Sequence, residues 1–167
     1  LDGASATVDA TQFGGQGRLL LNVLWPAPDN LTLTKIGGPG REYTVFGKNY
    51  PNDVPADRVQ RSSIELAAWR VEVSPKAPAA EDLFLNVMQV MDRPRNPGAT
   101  GWPVTRLETA GHIGCLLDGP DASWLVLLRR DGLRSADAVE IAVPQGRPAR
   151  VLVTGLDPGR WTARSQD

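Results

Sequence analysis

The sequence predicts an all-β fold, an antiparallel two-sheet β-sandwich of about a dozen short strands. Apolar residues recur at every second position along much of the chain, the spacing that puts alternate side chains on one face of a strand. The 17 glycines and 14 prolines interrupt these runs in the way that the many turns of a sandwich require. No long stretch has the period of an amphipathic helix.

Three runs carry this prediction most clearly. In "WRVEVSP", Trp69, Val71 and Val73 alternate with polar residues, which predicts a half-buried strand with Trp69 in the core. The runs "RLLLNVLW" (residues 18–25) and "DLFLNVMQV" (residues 82–90) are apolar at consecutive positions. Such runs are typical of central strands that are buried on both faces.

The rest of the chain continues the pattern. The run "SWLVLLRR" at residues 123–130 is also apolar and precedes Asp131-Gly132, a hairpin signal. A helical turn is predicted only at residues 58–68, and longer loops at 47–61 and 91–102. Because strand signals run from end to end, we predict one domain over residues 1–167. Further strands are predicted at residues 5–11, 31–36, 43–46, 104–108, 112–117, 138–143, 150–156 and 160–163.

Charge and hydropathy argue against two classes of partner. The formal net charge is -1, from 18 basic and 19 acidic side chains. A protein that binds nucleic acid through bulk electrostatics would show a basic excess, so no nucleic-acid partner is predicted. No apolar run approaches the roughly 20 residues of a membrane span, so no membrane partner is predicted either.

The residues that usually carry catalysis are scarce. His112 is the one histidine and Cys115 the one cysteine. They are three residues apart in a predicted strand, so their side chains point to opposite faces and form no nucleophile–base pair. A zinc site needs more such ligands. The sequence therefore predicts no catalytic residue, no metal site and no cofactor in this chain, with Cys115 buried and inert.

The stretch "IGGPGREYTVFGKNYP", residues 36–51, contains the main ligand-binding candidates. Its glycines predict backbone turns rather than ligand contacts, because glycine adopts positive φ readily. The side chains of Lys48, Asn49 and Tyr50 lie in the more open part, where an aromatic ring could stack on a sugar and a cation could bind its carboxylate. One of Tyr43 and Phe46 is expected in the core.

Three other tryptophans are predicted to be either buried or exposed. Trp25 and Trp124 lie at ends of apolar strands and are predicted to be buried. Trp102 lies in the glycine- and proline-rich segment "GATGWP", and it is the best candidate for an exposed aromatic platform. The predicted ligand-binding residues are therefore Lys48, Asn49, Tyr50 and Trp102.

Two segments resemble the C-terminal β-domain of heparinase II/III-like polysaccharide lyases. The first, "LTKIGGPGREYTVFGKNYP", has the family's Gly-Gly-x-Gly strand end and its Gly-Lys/Arg-Asn-Tyr-Pro loop. The second, "AAWRVEVSPKAPAAEDLFLNVMQVMD", has Trp-Arg-x-Glu-Val-x-Pro, an acidic spacer and Leu-Phe-Leu-x-Val. The opening "LDGASA" and "RLLLNVLWP" are similar to two further strands of that domain. The resemblance covers roughly residues 1–92 and then rests on strand pattern, ending in the hairpin-like "GLDPGRWTAR".

This resemblance implies a part of a larger polysaccharide lyase, which cleaves uronate glycans by β-elimination. The family's catalytic residues lie mostly on an α-helical toroid, which this chain does not contain. Asn22 stands where several members have a histidine, so no catalytic role is transferred to it. The expected partners are an acidic polysaccharide and the α-helical catalytic domain, and the expected location is periplasmic or secreted.

Two other functions stay open. A free-standing carbohydrate-binding module would need exposed coplanar aromatic rings, for which Trp102 and Tyr50 are the available pair. A structural or adhesion-type sandwich would instead show a large exposed apolar patch. The chain opens "LDGASATVDATQ", without an initiator methionine or the apolar segment of a signal peptide. We therefore expect a mature product, an excised domain or a fragment.

Overall fold

The computed structural model describes residues 1–10, 16–50, 68–93 and 101–164. These ranges contain eleven β-strands and one short 3-10 turn at Pro28–Asn30, so the predicted all-β fold of about a dozen short strands is confirmed. No helix capable of crossing a membrane occurs in them. The strands are β1 (Ser5–Asp9), β2 (Gly17–Trp25), β3 (Leu31–Gly37), β4 (Thr44–Val45), β5 (Lys48–Asn49), β6 (Trp69–Pro75), β7 (Leu85–Asp92), β8 (Val104–Glu108), β9 (His112–Asp118), β10 (Ser123–Arg129) and β11 (Ala149–Val153).

The chain divides into two compact units, Leu1–Gly101 and Trp102–Asp167. The first unit contains an antiparallel sheet in the order β1-β2-β7. Its central strand β2 ends in the buried residues Val23, Leu24 and Trp25, which are 2%, 8% and 4% exposed. Burial of these side chains removes apolar area from water and stabilises this unit.

Two smaller antiparallel pairs complete the first unit. Strand β3 pairs with β6 along its whole length, from Leu31 opposite Pro75 to Gly37 opposite Trp69. Strands β4 and β5 form a hairpin with a two-residue loop, in which Thr44 lies opposite Asn49. These two pairs bring together the residues of the glycine-rich stretch.

The second unit contains one four-stranded sheet in the order β11-β10-β9-β8. Leu125 and Leu127 of β10 are fully buried, which their position in an interior strand explains. The pairs β8–β9 and β9–β10 are antiparallel, whereas β10 and β11 are parallel. The chain between them spans residues 130–148, long enough for the crossover that parallel neighbours need.

Several sequence predictions for the second unit are wrong. Residues 138–143 and 160–163 are not strands, and the segment "GLDPGRWTAR" forms no hairpin, although Leu156 makes an isolated bridge to Ser135. The turn at Asp131-Gly132 does not form a hairpin, because the next strand, β11, begins only at Ala149 and runs parallel to β10. The Asp131 carboxylate instead accepts the amide N–H of Leu133 at 2.9 Å, which directs the chain away from β10.

Three burial predictions for the first unit are also wrong. Trp69 is 46% exposed, because it lies at the open end of the β3–β6 pair. Tyr43 and Phe46 are 38% and 102% exposed, so neither is in the core. Strand β7 is an edge strand with alternating exposure rather than a strand buried on both faces.

The predicted helical turn at 58–68 and the loops at 47–61 and 91–102 fall largely outside the described residues. Within the described part, Lys48–Asn49 is strand β5 rather than loop. Met91 and Asp92 likewise belong to β7.

Candidate functional site

The glycine-rich stretch forms a tight hairpin whose turn requires two positive φ angles. Phe46 and Gly47 connect β4 to β5 with φ of 47° and 78°. Two consecutive positive φ angles are typical of the type I′ turn, which matches the twist of two-stranded hairpins. Gly37, Gly38 and Gly40 also have positive φ, so these glycines serve the backbone as predicted.

Asn49 holds this hairpin in place. Its side-chain amide donates to the carbonyl of Gly40 at 3.0 Å, and its Oδ1 accepts the Thr44 hydroxyl at 3.3 Å. The Arg70 guanidinium donates to the Thr44 carbonyl and so joins the hairpin to β6. These bonds give Asn49 a structural function that its predicted exposure alone did not indicate.

Lys48 and Tyr50 form an exposed cation–aromatic pair beside the hairpin. The Lys48 ammonium lies 4.8 Å from the centre of the Tyr50 ring, and the ring is 49% exposed. Among the residues described, Lys48 has no carboxylate partner. The pair therefore presents an exposed aromatic ring and an available positive charge.

A second cation–aromatic pair lies on the adjoining β3–β6 strands, and the sequence did not predict it. The Lys35 ammonium lies 3.8 Å from the centre of the Trp69 ring. The ring also covers Gly38, where a Cβ would come within 2.9 Å of it. The signal in the sequence was the glycine opposite Trp69, because an aromatic ring commonly covers the gap that a strand glycine leaves.

Trp102 is exposed, as predicted, and belongs to the second unit. It is 45% exposed, and its ring lies against Gly119, where a Cβ would come within 3.2 Å of it. The sequence analysis missed Trp124, the second residue of β10, which was predicted to be buried but is 41% exposed. The Arg150 guanidinium lies 4.7 Å from the centre of the Trp124 ring.

The one histidine is held by the backbone. His112 is 2% exposed, and its Nε2 lies 3.1 Å from the carbonyl oxygen of Thr154. Cys115 is 4% exposed, and burial raises the pKa of its thiol, so the reactive thiolate is disfavoured. The two residues occupy opposite faces of β9, as predicted, and no nucleophile–base pair forms between them.

A cavity of about 490 Å³ opens beside His112 in the second unit, with Arg129, Asp137 and Glu140 in its lining. Arg129 donates to the Asp131 carboxylate at 3.0 and 3.3 Å, and this hydrogen bonding lowers the pKa of Asp131. The guanidinium is therefore already neutralised by Asp131. The cavity combines a paired arginine with two further carboxylates, which makes it a poor site for an anionic sugar.

A metal site is not visible in the described ranges, where no group of three His, Cys, Asp or Glu side chains could hold an ion. The sequence-predicted site residues thus fall into two places. Lys48, Asn49 and Tyr50 come together at the β4–β5 hairpin of the first unit, and Trp102 lies on the sheet of the second.

Comparison with known proteins finds a family match within the second unit. Residues 106–167 match the family model of the heparinase II C-terminal domain. No curated protein sequence matches the chain. The match lies in the part of the chain where the resemblance rested on strand pattern, rather than in the motifs of residues 1–92. The predicted resemblance to the C-terminal domain of heparinase II/III-like polysaccharide lyases is therefore confirmed, and residues 106–167 carry it.

Proposed function

We propose that this chain is the non-catalytic β-structured part of a heparinase II/III-like polysaccharide lyase. In that role it packs on an α-helical catalytic domain and lines part of a cleft for a uronate glycan. The observation that carries the proposal is the match of residues 106–167 to the heparinase II C-terminal domain. The all-β fold of the described residues is consistent with this role. A periplasmic or secreted location is part of the same proposal.

The burial of His112 and Cys115 supports a non-catalytic role. β-Elimination needs a base that reaches the acidic proton of the uronate and a group that neutralises its carboxylate. His112 is 2% exposed and bound to the Thr154 carbonyl, so it does not reach a substrate. Cys115 is buried and its raised pKa keeps the thiol neutral.

An exposed apolar face supports packing on a second domain. On the β1-β2-β7 sheet, Val8 pairs with Leu19 and Leu19 with Val90, while Leu21 pairs with Met88. Met88, Val90 and Val8 are 65%, 82% and 49% exposed. Paired residues share a face, so these five side chains form one apolar patch, the Met88–Val90 face. An α-helical domain is a suitable occupant, because helices commonly cover one face of an antiparallel sheet.

The two lysine–aromatic pairs support a contact with the glycan. Lys48 lies over Tyr50 at 4.8 Å and Lys35 over Trp69 at 3.8 Å. Each pair offers a ring for stacking against a pyranose and an ammonium for its carboxylate. In the described part of the chain, neither lysine has a carboxylate partner, so both charges are available to an anionic ligand.

Association between this chain and the α-helical catalytic segment of the same protein tests the proposal. The two pieces, expressed separately, should form a complex in sedimentation or size-exclusion experiments. Val90→Lys should disrupt the complex, because it places a charge in the Met88–Val90 face, whereas Thr34→Lys, at an exposed position of β3, should not. Failure of the two pieces to associate would contradict the packing role.

A carbohydrate-binding module is the second candidate, and the exposed tryptophans favour it. Trp69, Trp102, Trp124 and Trp161 are all more than 40% exposed, at 46%, 45%, 41% and 42%. A module of this kind acts without any catalytic segment, so association with the α-helical segment separates the two candidates. The third alternative, an adhesion-type sandwich, would use the apolar face without binding sugar.

A further inference from the structure

The sheet of the second unit presents exposed tryptophans at one end. Trp124 of β10 lies opposite Leu117 of β9, and Leu117 lies opposite Val104 of β8. Residues that pair directly across antiparallel strands have their side chains on the same face of the sheet. The Trp124 ring, which is 41% exposed, is therefore on the same face as Leu117 and Val104.

Trp102 lies on this same face, two residues before β8. The pairing of β8 with β9 continues beyond the strand, because the amide N–H of Asp118 donates to the carbonyl of Pro103 at 3.0 Å. The Trp102 ring lies where a Cβ on Gly119 would point, within 3.2 Å of it. Gly119 follows Leu117 by two residues, so a Cβ on Gly119 would point to the same face of the sheet as the Leu117 side chain. The rings of Trp102 and Trp124 consequently flank β9 on one side of the sheet.

A positive charge accompanies the rings. Arg150 pairs with Trp124 across the parallel strands β10 and β11, and its guanidinium lies 4.7 Å from the ring centre. It has no carboxylate partner among the residues that the structure describes. Arg147, in contrast, donates to the Asp118 carboxylate and to the Gly119 carbonyl, each at 3.0 Å. Arg150 is therefore the cation of this surface that keeps its hydrogen-bond donors available.

We propose that Trp102, Leu117, Trp124 and Arg150, together the Trp102–Trp124 face, bind an acidic glycan chain. The two rings stack on successive sugars of the chain, and the Arg150 guanidinium binds a carboxylate or sulfate in the fork geometry that planar anions favour. This site is separate from the lysine–aromatic pairs of the first unit and does not rest on the proposed packing or cleft-lining role. It holds equally for a lyase domain and for a binding module.

Single-stranded nucleic acid is the other polymer that such a surface could take, since bases also stack on aromatic rings beside arginine. The observations favour the glycan. A nucleic-acid groove follows the phosphate backbone with several cations, whereas here the neighbouring Arg147 is neutralised by Asp118. The whole chain also has a formal net charge of -1.

The experiment measures binding of short heparin and alginate oligosaccharides to the intact 167-residue chain by calorimetry. A neutral glucan oligosaccharide and a single-stranded DNA oligonucleotide are the comparison ligands. The wild-type chain should bind at least one acidic oligosaccharide, with an affinity that falls as salt concentration rises, because an exposed ion pair is screened. It should bind the neutral glucan and the DNA more weakly.

Variants locate the binding. Trp124→Ala and Arg150→Gln should each weaken the affinity about tenfold, the change that corresponds to loss of one good stacking or charged contact. Arg150→Gln should also reduce the salt dependence. Trp161→Ala is the matched control, since Trp161 is 42% exposed in the same unit but lies in the chain segment after β11, with its indole N–H on the Asp157 carbonyl. Its affinity should equal that of the wild-type chain.

The thermal unfolding midpoint of each variant shows whether it folds. If Trp124→Ala does not fold, Arg150→Gln still tests the site, because a surface arginine can be replaced without a change in the core. Unchanged affinity in a folded Trp124→Ala or Arg150→Gln variant would overturn the proposal. So would an equal loss in Trp161→Ala, absence of binding to every acidic oligosaccharide, or tighter binding of the DNA.

Discussion

Trp69 lies directly opposite Gly37 in the antiparallel pair of β3 and β6, with the Lys35 ammonium 3.8 Å from the centre of its ring. The ring covers the backbone of the next residue, Gly38, which carries no side chain. Trp69 is thus a surface side chain that shields one glycine, Gly38, and holds a cation. Its contribution to stability comes from these contacts rather than from burial in the core.

Replacement of Trp69 should therefore cost less than replacement of a core tryptophan. Trp69→Ala removes one cross-strand contact and one exposed cation–π contact, together about 1–2 kcal/mol of the free energy of unfolding. Trp25→Ala is the matched control, since Trp25 is 4% exposed, and it should cost about 3–5 kcal/mol. Urea denaturation of both variants measures these values. An equal loss for the two variants would contradict the surface position of Trp69.

The alternation of "WRVEVSP" predicted the strand correctly but not the burial of its first residue. Val71 and Val73 are half-buried and Glu72 is exposed, as the pattern indicates. Trp69 lies on the same face, yet at the end of a two-stranded pair where no further strand of the described residues covers it. The period of a strand gives the face of a residue, whereas its exposure depends on neighbours that are distant in the sequence.

A bidentate ion pair joins β1 to β2 and should make stability depend on pH. The Arg18 Nε and Nη2 donate to the two Asp9 carboxylate oxygens at 2.7 and 2.9 Å, and this hydrogen bonding holds the pKa of Asp9 below its ordinary value of 3.8. A lowered pKa stabilises the fold above the ordinary value, and this contribution is lost as pH falls through the folded-state pKa. Asp9→Asn should therefore lower the thermal midpoint at neutral pH, and its difference from wild type should shrink in acid.

Asp82→Asn is the control for this pH effect, because Asp82 is exposed and forms no ion pair with a described residue. It should leave the thermal midpoint nearly unchanged at both pH values. A difference between Asp9→Asn and wild type that stays constant from neutral pH to below 3.8 would show that the ion pair does not stabilise the fold.

The turn residue Phe46 should be replaceable with a gain in stability. It has φ of 47° and is 102% exposed, so its ring makes no contact that offsets the unfavourable backbone conformation. Asparagine adopts this conformation more readily, and Asn-Gly is the preferred pair for a type I′ turn. Phe46→Asn should raise the free energy of unfolding by about 1 kcal/mol, while Phe46→Ala should stay within about 0.5 kcal/mol of wild type. Equal stability of the two variants in urea would contradict the strained turn.

Cys115 should resist alkylation in the folded chain. Its side chain is 4% exposed and its pKa is raised by burial, so both access and thiolate formation are restricted. Iodoacetamide, followed by mass spectrometry, should modify it only after denaturation. The double variant Cys115→Ser with Ser74→Cys, which moves the thiol to an exposed position of β6, should react rapidly. Fast modification of folded wild-type protein would place Cys115 at the surface.

The candidate site could be predicted from the sequence only in part. The glycine-rich stretch correctly indicated a turn with Lys48 and Tyr50 exposed beside it, because glycine and local spacing determine a hairpin. Trp124 was missed because it begins an apolar run, and its exposure follows from pairing with Arg150, 26 residues further along the chain, on an edge strand.

The release of unsaturated uronate, monitored by its ultraviolet absorbance, shows whether this chain has a catalytic role of its own. The assay compares this chain alone, the proposed α-helical catalytic segment alone, and the two together, on heparan and alginate polymers. We expect no turnover by this chain alone and higher turnover by the two together than by the α-helical segment alone. Turnover of a polymer by the isolated chain, abolished by His112→Ala, would contradict the non-catalytic role.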